Sequence, residues 1–383
     1  MTKRIGILTS GGDCPGLNAA IRAVVSHATL TYGWEVLGIP YATQGLMEAK
    51  ASRLTVHCQD LRGIDPLLSL GGTILGSVNK GDTVANADAI IAGYHRLGLD
   101  ALIAIGGDGS LAILHTLAQK GNWNLVSIPK TIDNDVALTD RAIGFDTAVN
   151  TVTNALYNLS CTAASHDRVM VVEVMGRASG HLALNAGLAG GADVILIPEI
   201  PYTIDSVCRK IRELRERWGR CFAIVVVAEG ARTLEGGFVA EKDAEGHLRF
   251  HGIGDYIADR VCRCSEGNLE ARVTVLGHVQ RGGIPSALDR LLATTFGKAA
   301  VDLVAEGRFN HMVAWQHGEL VSVPQTEVFA KSPTFVDPNH FLVQTARALN
   351  VYIGEFVNET MVGPGTGSSL IPPLAPHTEL VPQ

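Results

Sequence analysis

The sequence predicts an α/β protein of two Rossmann-like lobes, each built on a mostly parallel, doubly wound sheet, with the active site in the cleft between them. Three observations predict it. Short apolar runs alternate with helix-patterned segments along nearly the whole chain, the rhythm of βαβ units. The runs are continuously apolar rather than alternating, as strands covered on both faces are. Seven such units exceed one compact sheet, so the chain divides.

Strand-type runs stand at residues 4–9 (RIGILT), 35–39 (EVLGI), 100–105 (DALIAI), 124–128 (NLVSI), 169–174 (VMVVEV), 193–197 (DVILI) and 222–228 (FAIVVVA). Segments of helical character lie between and after them, at 17–30, 82–97, 109–119, 145–160, 179–189, 203–218 and 285–305. The lobe boundary is expected near Asp140 to Phe145. One lobe takes residues 1–144 and 280–330, the other 145–279 and 331–361. Residues 232–251 are polar and read as a surface excursion, and 362–383, with GPGTG and LIPPLAPHTELVPQ, as a poorly ordered tail.

Composition narrows the class. At 383 residues with 46% hydrophobic and 18% charged, the chain can build a large core, which rules out small disulfide-stapled scaffolds and extended disorder. Its net charge of −7 gives no reason to expect nucleic acid as a partner. No apolar run reaches the roughly 18 to 20 residues that span a bilayer, and Met1-Thr2-Lys3-Arg4-Ile5 runs straight into a strand rather than a cleavable leader. A cytoplasmic protein without membrane contact is expected. The seven cysteines, without Cys-x-x-Cys pairs, read as reduced thiols, and Cys262-Arg263-Cys264 is too tight for a zinc pair.

The 42 glycines cluster at strand ends. Strand 4–9 runs into Ser10-Gly11-Gly12-Asp13-Cys14-Pro15-Gly16 and then a helix; strand 100–105 runs into Gly106-Gly107-Asp108-Gly109-Ser110 and another; Gly71-Gly72-Thr73-Ile74-Leu75-Gly76-Ser77 lies between. Paired glycines let backbone N–H groups approach an oxyanion, and a helix N-terminus adds a favourable dipole. The spacing is neither GxGxxG nor GxxxxGK[ST]. Any one loop could be a plain tight turn, but open α/β sheets bind ligands at the carboxyl ends of their strands, where these loops lie.

Pro129-Lys130-Thr131-Ile132-Asp133-Asn134-Asp135 follows strand 124–128 directly. Two carboxylates flanking an amide suit a Mg²⁺ site or a general base taking a proton from a hydroxyl; they equally suit helix caps and Asx turns. Met175-Gly176-Arg177, Glu229 and Gly277-His278-Val279-Gln280-Arg281-Gly282-Gly283 each follow an apolar run. Arginine presents a fork of donors that matches phosphate oxygens, so Arg177 and Arg281 with His278 form a candidate anion site.

These segments, with ILTSGGDCPGLNAAIR at 7–22, IGGDGS at 105–110, KTIDND at 130–135, VVEVMGR at 171–177 and LGHVQRGG at 276–283, resemble the 6-phosphofructokinase family in order from Ile5 to about Gly307. The resemblance implies transfer of a terminal phosphoryl group from a nucleotide to the 1-hydroxyl of fructose 6-phosphate with Mg²⁺, in glycolysis. It implies that the first lobe binds nucleotide and the second sugar phosphate. By position Asp133 is the base, with Lys130, Thr131 and Arg177 beside it in the catalytic group. Thr131 and Asp135 hold the sugar end and the metal-bound phosphoryl, and Asp108 binds Mg²⁺. Gly12, Asn79, Lys80, Gly107, Asp108, Gly109 and Ser110 line the donor site. Met175, Gly176, Arg177, Glu229, His278 and Arg281 contact the sugar phosphate. Arg168 and Arg272 match arginines that reach that phosphate from a neighbouring subunit, which implies a homo-oligomer, dimer or tetramer.

The resemblance has departures. Lys130 stands where ATP-using members have glycine and diphosphate users lysine, yet Gly109 stands where diphosphate users have aspartate, whose carboxylate would repel a nucleotide α-phosphate. ATP is therefore the expected donor, ahead of ADP and diphosphate. Asn79-Lys80 replaces an arginine that bridges both reactants, and Ser26 stands where an effector-site arginine is expected, although Arg22 fits. Retention of Asp108, Asp133 and Asp135 favours an enzyme over a ligand-sensing paralogue without turnover.

Overall fold

The computed structural model describes residues 2–56, 65–77, 85–234, 240–242, 248–250, 252–264 and 269–355. Asn79, Lys80 and the expected 362–383 tail lie outside these residues, as do parts of the expected 82–97 helix and 232–251 excursion.

In chain order the strands are β1 (Arg4–Thr9), β2 (Glu35–Gly38), β3 (Ser52–Leu54), β4 (Ala101–Gly106), β5 (Leu125–Pro129), β6 (Arg168–Val174), β7 (Val194–Leu196), β8 (Ala223–Ala228), β9 (Ala240–Lys242), β10 (Leu248–Phe250), β11 (Glu270–Val275), β12 (His311–Gln316) and β13 (Glu319–Pro324). The helices are α1 (Leu17–Tyr32), α2 (Thr43–Met47), α3 (Ala87–Arg96), α4 (Asp108–Gly121), α5 (Phe145–His166), α6 (His181–Ala189), α7 (Ile204–Trp218), α8 (Ile253–Cys264), α9 (Ala287–Ala305), α10 (Gln325–Lys331) and α11 (Phe341–Ala348).

Two sheets carry the fold. The first has the order β13-β12-β5-β4-β1-β2-β3, parallel except for β3 and β13 at its edges; the second, β11-β6-β8-β7, is wholly parallel. Every residue of β4, β5 and β8 is buried, which is why these strands read as unbroken apolar runs. A single apolar core runs from the first sheet (Ile5, Ile103, Val126) through α5 (Ala148, Val152, Leu156) and α9 (Phe296, Ala300) to the second (Val172, Ile195, Val226). The outer face of each sheet has its own smaller cluster.

The crossing between sheets is pinned by one carboxylate. Asp289, fully buried in the first turn of α9, accepts hydrogen bonds from the N–H groups of Gly144 (2.9 Å) and Thr147 (2.8 Å) and from Thr147 Oγ1 (2.5 Å) at the start of α5. An anion here satisfies orphan N–H groups and complements the helix dipole. Ser286 answers in the other direction, its Oγ donating to Asp146 (2.6 Å) and its N–H to Thr147 Oγ1 (2.9 Å). Close approach of α9 to α1 depends on Gly297, where a Cβ would fall 2.7 Å from Ala23 Cβ and 2.8 Å from the Ala20 carbonyl.

One expectation is corrected. Cys208 on α7 and Cys264 at the end of α8 are disulfide-bonded rather than free thiols, because the two helices pack together on the outer face of the second sheet and bring residues 56 apart in sequence together. Cys14, Cys161, Cys221 and Cys262 are not disulfide-bonded.

Asp289→Ala leaves the Gly144 and Thr147 N–H groups buried without an acceptor, and should lower the unfolding free energy by about 2–3 kcal/mol. Denaturant midpoints compare it with wild type; a change within about 0.5 kcal/mol would mean that the helix joint does not depend on this carboxylate.

Candidate active site

The glycine loops meet one another. Gly11 adopts φ +81°, and a Cβ there would stand 2.6 Å from Ser110 Oγ, so the loops after β1 and β4 are in contact. A Cβ on Gly12 would stand 2.6 Å from Arg281 Nη1, which donates to the Asp13 carbonyl (3.3 Å). Lys130 Nζ donates to the Gly12 carbonyl. The 71–77 loop joins them: fully buried Asn18 donates to the Leu70 (3.0 Å) and Gly71 (3.2 Å) carbonyls and accepts from Ile74 N–H (2.8 Å), while Ser77 Oγ donates to the Gly11 carbonyl. Among the described residues, nothing lies within 4 Å of a Cβ placed on Gly109, so they leave the space beside the first turn of α4 open.

The segment after β5 is held by its backbone. Lys130 N–H donates to the Gly106 carbonyl (2.9 Å) and Thr131 N–H to Ile143 (3.1 Å). Its two readings, turn-forming and chemical, divide by residue. Asn134, at φ +51°, is the structural member: its Oδ1 accepts from Ala142 N–H (2.9 Å) and its Nδ2 donates to the Asp140 carbonyl (3.1 Å). Asp133 and Asp135 are buried, and each leaves Oδ1 with no hydrogen-bond partner among the described residues. Burial pushes the Asp133 carboxyl upward against the pull of Arg177, Arg281 and Lys130, with Asp108 adding to the rise. Asp135 is pushed up to about 7, by burial first and then by the negative charges of Asp133 and Asp108. Burial lowers the Lys130 ammonium.

Arg177 and Glu229 are coupled at the carboxyl ends of β6 and β8: Arg177, at φ +53°, donates its N–H to Glu229 Oε1 (2.8 Å). Burial pushes the Glu229 carboxyl upward. Gly176 at φ +145° has no room for a Cβ, which would lie 2.5 Å from the Ser179 carbonyl. Fully buried Gln280 ties the turn Gly277–Arg281 to this loop by accepting from Met175 N–H (3.3 Å) and donating to the Gly277 carbonyl (2.9 Å). His278, on the same turn, is exposed.

The structure therefore gathers Asp108, Lys130, Asp133, Asp135, Arg177 and Arg281 within one another's fields, with Gly12, Gly107, Gly109, Ser110, Thr131, Met175, Gly176 and Glu229 on the loops that carry or adjoin them. It does not gather Arg168 and Arg272. Arg168 opens β6, roughly 20 Å along the strand from Met175, and both arginines pair with Glu270, at 2.6 Å for Arg168. The sequence reading missed Asn18, whose only signal is a polar residue among apolar neighbours, and Gln280, which carries no distinguishing signal in its polar turn. It also missed Tyr41, a 53% exposed ring at φ +53° lying against Gly76.

Residues 4–304 match the family described as Phosphofructokinase. The chain belongs to the phosphofructokinase family. It is 68% identical over 361 residues to ATP-dependent 6-phosphofructokinase 2 of Nostoc sp., covering 93% of this chain and 99% of the relative. It is 64% identical over 353 residues to the ATP-dependent 6-phosphofructokinase of Thermosynechococcus vestitus, covering 92% and 93%. Among solved structures, Pichia pastoris phosphofructokinase in the T-state superposes with a TM-score of 0.74 at 32% identity, over 92% of this chain and 37% of that one. The pyrophosphate-dependent phosphofructokinase from Marinobacter aquaeolei shares the fold, with a TM-score of 0.76 at 21% identity over 92% and 93%.

The donor set of this phosphofructokinase fold fits Mg²⁺. No group of three or more His, Cys, Asp or Glu side chains among the described residues is arranged to hold a metal. Mg²⁺ does not need one, since it takes one or two carboxylates and fills its sphere with water and substrate phosphate. The unpartnered Oδ1 atoms of Asp133 and Asp135, whose carboxyls feel the charge of Asp108, are oxygens of the kind such an ion takes.

Asp135 titrates near 7 when folded but near 3.9 in an unfolded chain. The folded state holds the extra proton between those values, so ionising Asp135 withdraws stability as pH rises from about 4 to about 7. Asp135→Asn should raise the melting temperature of the ligand-free protein at pH 8, by the equivalent of about 4 kcal/mol. The gain should shrink as pH falls through 7 and vanish near 4. Equal melting temperatures at pH 8 would mean that the carboxylate is carried there without cost.

Proposed function

We propose that this protein is an ATP-dependent 6-phosphofructokinase. It moves the terminal phosphoryl group of ATP to the 1-hydroxyl of fructose 6-phosphate, giving fructose 1,6-bisphosphate in glycolysis. The observation that carries this is a buried Asp133 oxygen left without a partner beside converging glycine loops, in a chain 68% identical to an ATP-dependent 6-phosphofructokinase.

Asp133 accepts the proton of the attacking hydroxyl. Burial makes it a stronger base than an ordinary carboxylate, and Arg177, Arg281 and Lys130 keep its ionised form accessible. Asp135 and Thr131 hold the sugar end, and Asp108, with Asp135 beside it, would hold Mg²⁺, which when bound would neutralise phosphate charge. The N–H groups of residues 11–12 and 107–110 line the donor phosphates, and open space at Gly109 leaves room for a nucleotide. Lys130, tied to the Gly12 carbonyl, puts a cation between donor loop and base. Tyr41 offers an exposed ring for the base of the nucleotide.

Arg177, Arg281 and His278 receive the sugar phosphate, with Glu229 fixing the Arg177 backbone and meeting the sugar. The distance of Arg168 and Arg272 from these groups supports their acting on a neighbour's site, and hence a homo-oligomer. The first sheet with its hairpin β12–β13 makes the nucleotide lobe, and the second the sugar-phosphate lobe. No helix among the described residues is long and apolar enough to cross a membrane, and the reaction belongs to the cytoplasm.

Asp133→Asn should retain fold and substrate binding while kcat falls by about 10²–10⁴, read in a coupled fructose 1,6-bisphosphate assay with ATP, ADP or diphosphate as sole donor. Retention of about a third of kcat would show that another group takes the proton.

A mixing experiment tests the subunit assignment. Arg272→Ala and Asp133→Asn homo-oligomers should each be nearly inactive, whereas hybrids formed by dissociation and reassembly should regain activity, because some sites then join intact Asp133 to an intact neighbouring Arg272. Hybrids no more active than the parents, with mixed oligomers confirmed by size exclusion, would place Arg272 outside the reaction or within its own chain's site.

A further inference from the structure

The segment that follows α10 lies beyond residue 304, where the family match ends, yet it touches the loop that carries the reacting carboxylates. Ser332 Oγ accepts from Ala137 N–H (2.9 Å), two residues after Asp135. Thr334 N–H donates to the carbonyl of Asp135 itself (2.7 Å). Val336, buried in the core, donates its N–H to Glu199 Oε1 (2.9 Å). The same Glu199 oxygen accepts from Gly180 N–H (2.8 Å), at the start of α6, and the neighbouring Ser179 N–H donates to the Gly176 carbonyl (2.9 Å).

These bonds form one path. It starts at the backbone of Asp135 and Ala137, runs through 332–336 to Glu199, and returns through Gly180 and Ser179 to the loop that presents Arg177. Backbone partners at each step leave little slack, since a hydrogen bond weakens steeply when its distance or angle drifts. The path joins the two halves of the site that must be in register: the carboxylates that meet the sugar hydroxyl and the arginine loop that meets its phosphate.

We propose that Ser332 and Glu199 are positioning residues for phosphoryl transfer, holding the 131–137 loop at a fixed distance from the 175–180 loop through the strap 332–336. Neither touches the reacting atoms. Ser332 acts through the Ala137 backbone on Asp135, and Glu199 acts through Gly180 and Val336 on both loops. The inference rests on Asp133 and Asp135 being the reacting carboxylates. A displacement of about 1 Å in such a group can cost on the order of 10²-fold in rate, so partial loosening of the strap should be visible in turnover before it is visible in binding.

The test uses the full-length enzyme and two pairs of variants. Ser332→Ala removes the acceptor for Ala137 N–H, and Ser332→Thr keeps it; Glu199→Ala removes the shared acceptor, and Glu199→Gln keeps an oxygen. Each alanine variant should lower kcat about tenfold or more with KM for ATP unchanged within about twofold, and each conservative partner should recover most of the loss. Amide hydrogen exchange, read on ligand-free protein, should quicken over residues 133–142 in Ser332→Ala and over both 133–142 and 176–182 in Glu199→Ala.

Wild-type kcat in Ser332→Ala alongside quickened exchange overturns the proposal, because the strap then holds the loop without mattering to the chemistry. Unchanged exchange overturns it as well. So does a lower melting temperature with kcat per folded molecule preserved, which marks a purely structural role. If Glu199→Ala fails to fold, the Ser332 pair decides. Because exchange is measured without turnover, it separates failure of the strap from failure of the base assignment, which would appear instead as an active Asp133→Asn.

Discussion

Two like charges taken out of water within three residues of each other set the terms for the rest of the site. Asp133 and Asp135 are both buried, and each keeps an oxygen that no group among the described residues satisfies. Desolvation pushes both carboxyls toward the protonated form, and the charge of Asp133 adds to the push on Asp135. The protein meets this by surrounding the pair with cations from three separate loops, Lys130, Arg177 and Arg281, instead of filling the place with hydrogen-bond donors. A satisfied pair would be more stable and chemically idle. The unmet valence is what a metal-bound phosphate and a sugar hydroxyl can occupy.

Holding such a pair in place requires that the surroundings be rigid, and the architecture supplies that from both sides. The loop is the first piece of chain to leave β5, and it is clamped to Gly106 and Ile143 by backbone bonds. Just beyond it, the entry to α5 is locked by Asp289, so the chain passes from one sheet to the other through a joint in which each helix start caps the other. The apolar core is continuous across this joint, which couples the two sheets by packing as well as by hydrogen bonds.

Much of the fold was legible because its central strands are buried on both faces, and β1, β4, β5, β6 and β8 read as largely apolar runs. Strand β11 was legible only as an apolar run before Gly277, without bounds: it is an edge strand, half-exposed, and Glu270, Arg272 and Thr274 interrupt the pattern. Helix α8 and the hairpin β12–β13 escaped for a related reason, since short or polar-faced elements borrow their stability from neighbours that a one-dimensional reading cannot see. In the site, residue types and spacing pointed to the 130–135 segment, but only the three-dimensional arrangement separated Asn134, which builds the turn, from the two aspartates it displays. The pairing of Arg168 and Arg272 with a common Glu270, and of Cys208 with Cys264, depends on strand and helix adjacency and left no mark in the sequence.

The void beside Gly109 has a meaning in the genetic code as well as in the pocket. A Cβ at that position meets no atom of the described residues within 4 Å, so the room proposed for a nucleotide is an absence of matter. Glycine codons that end in a pyrimidine differ from aspartate codons by a single base, so from such a codon the residue typical of diphosphate users is one mutational step away, with no clash among the described residues to hinder its arrival. Lys130 is different. A lysine codon reaches glycine only through more than one base change, and the side chain is tethered to Gly12. Drift in donor preference along this lineage therefore has an easy direction, through position 109, and a hard one, through position 130.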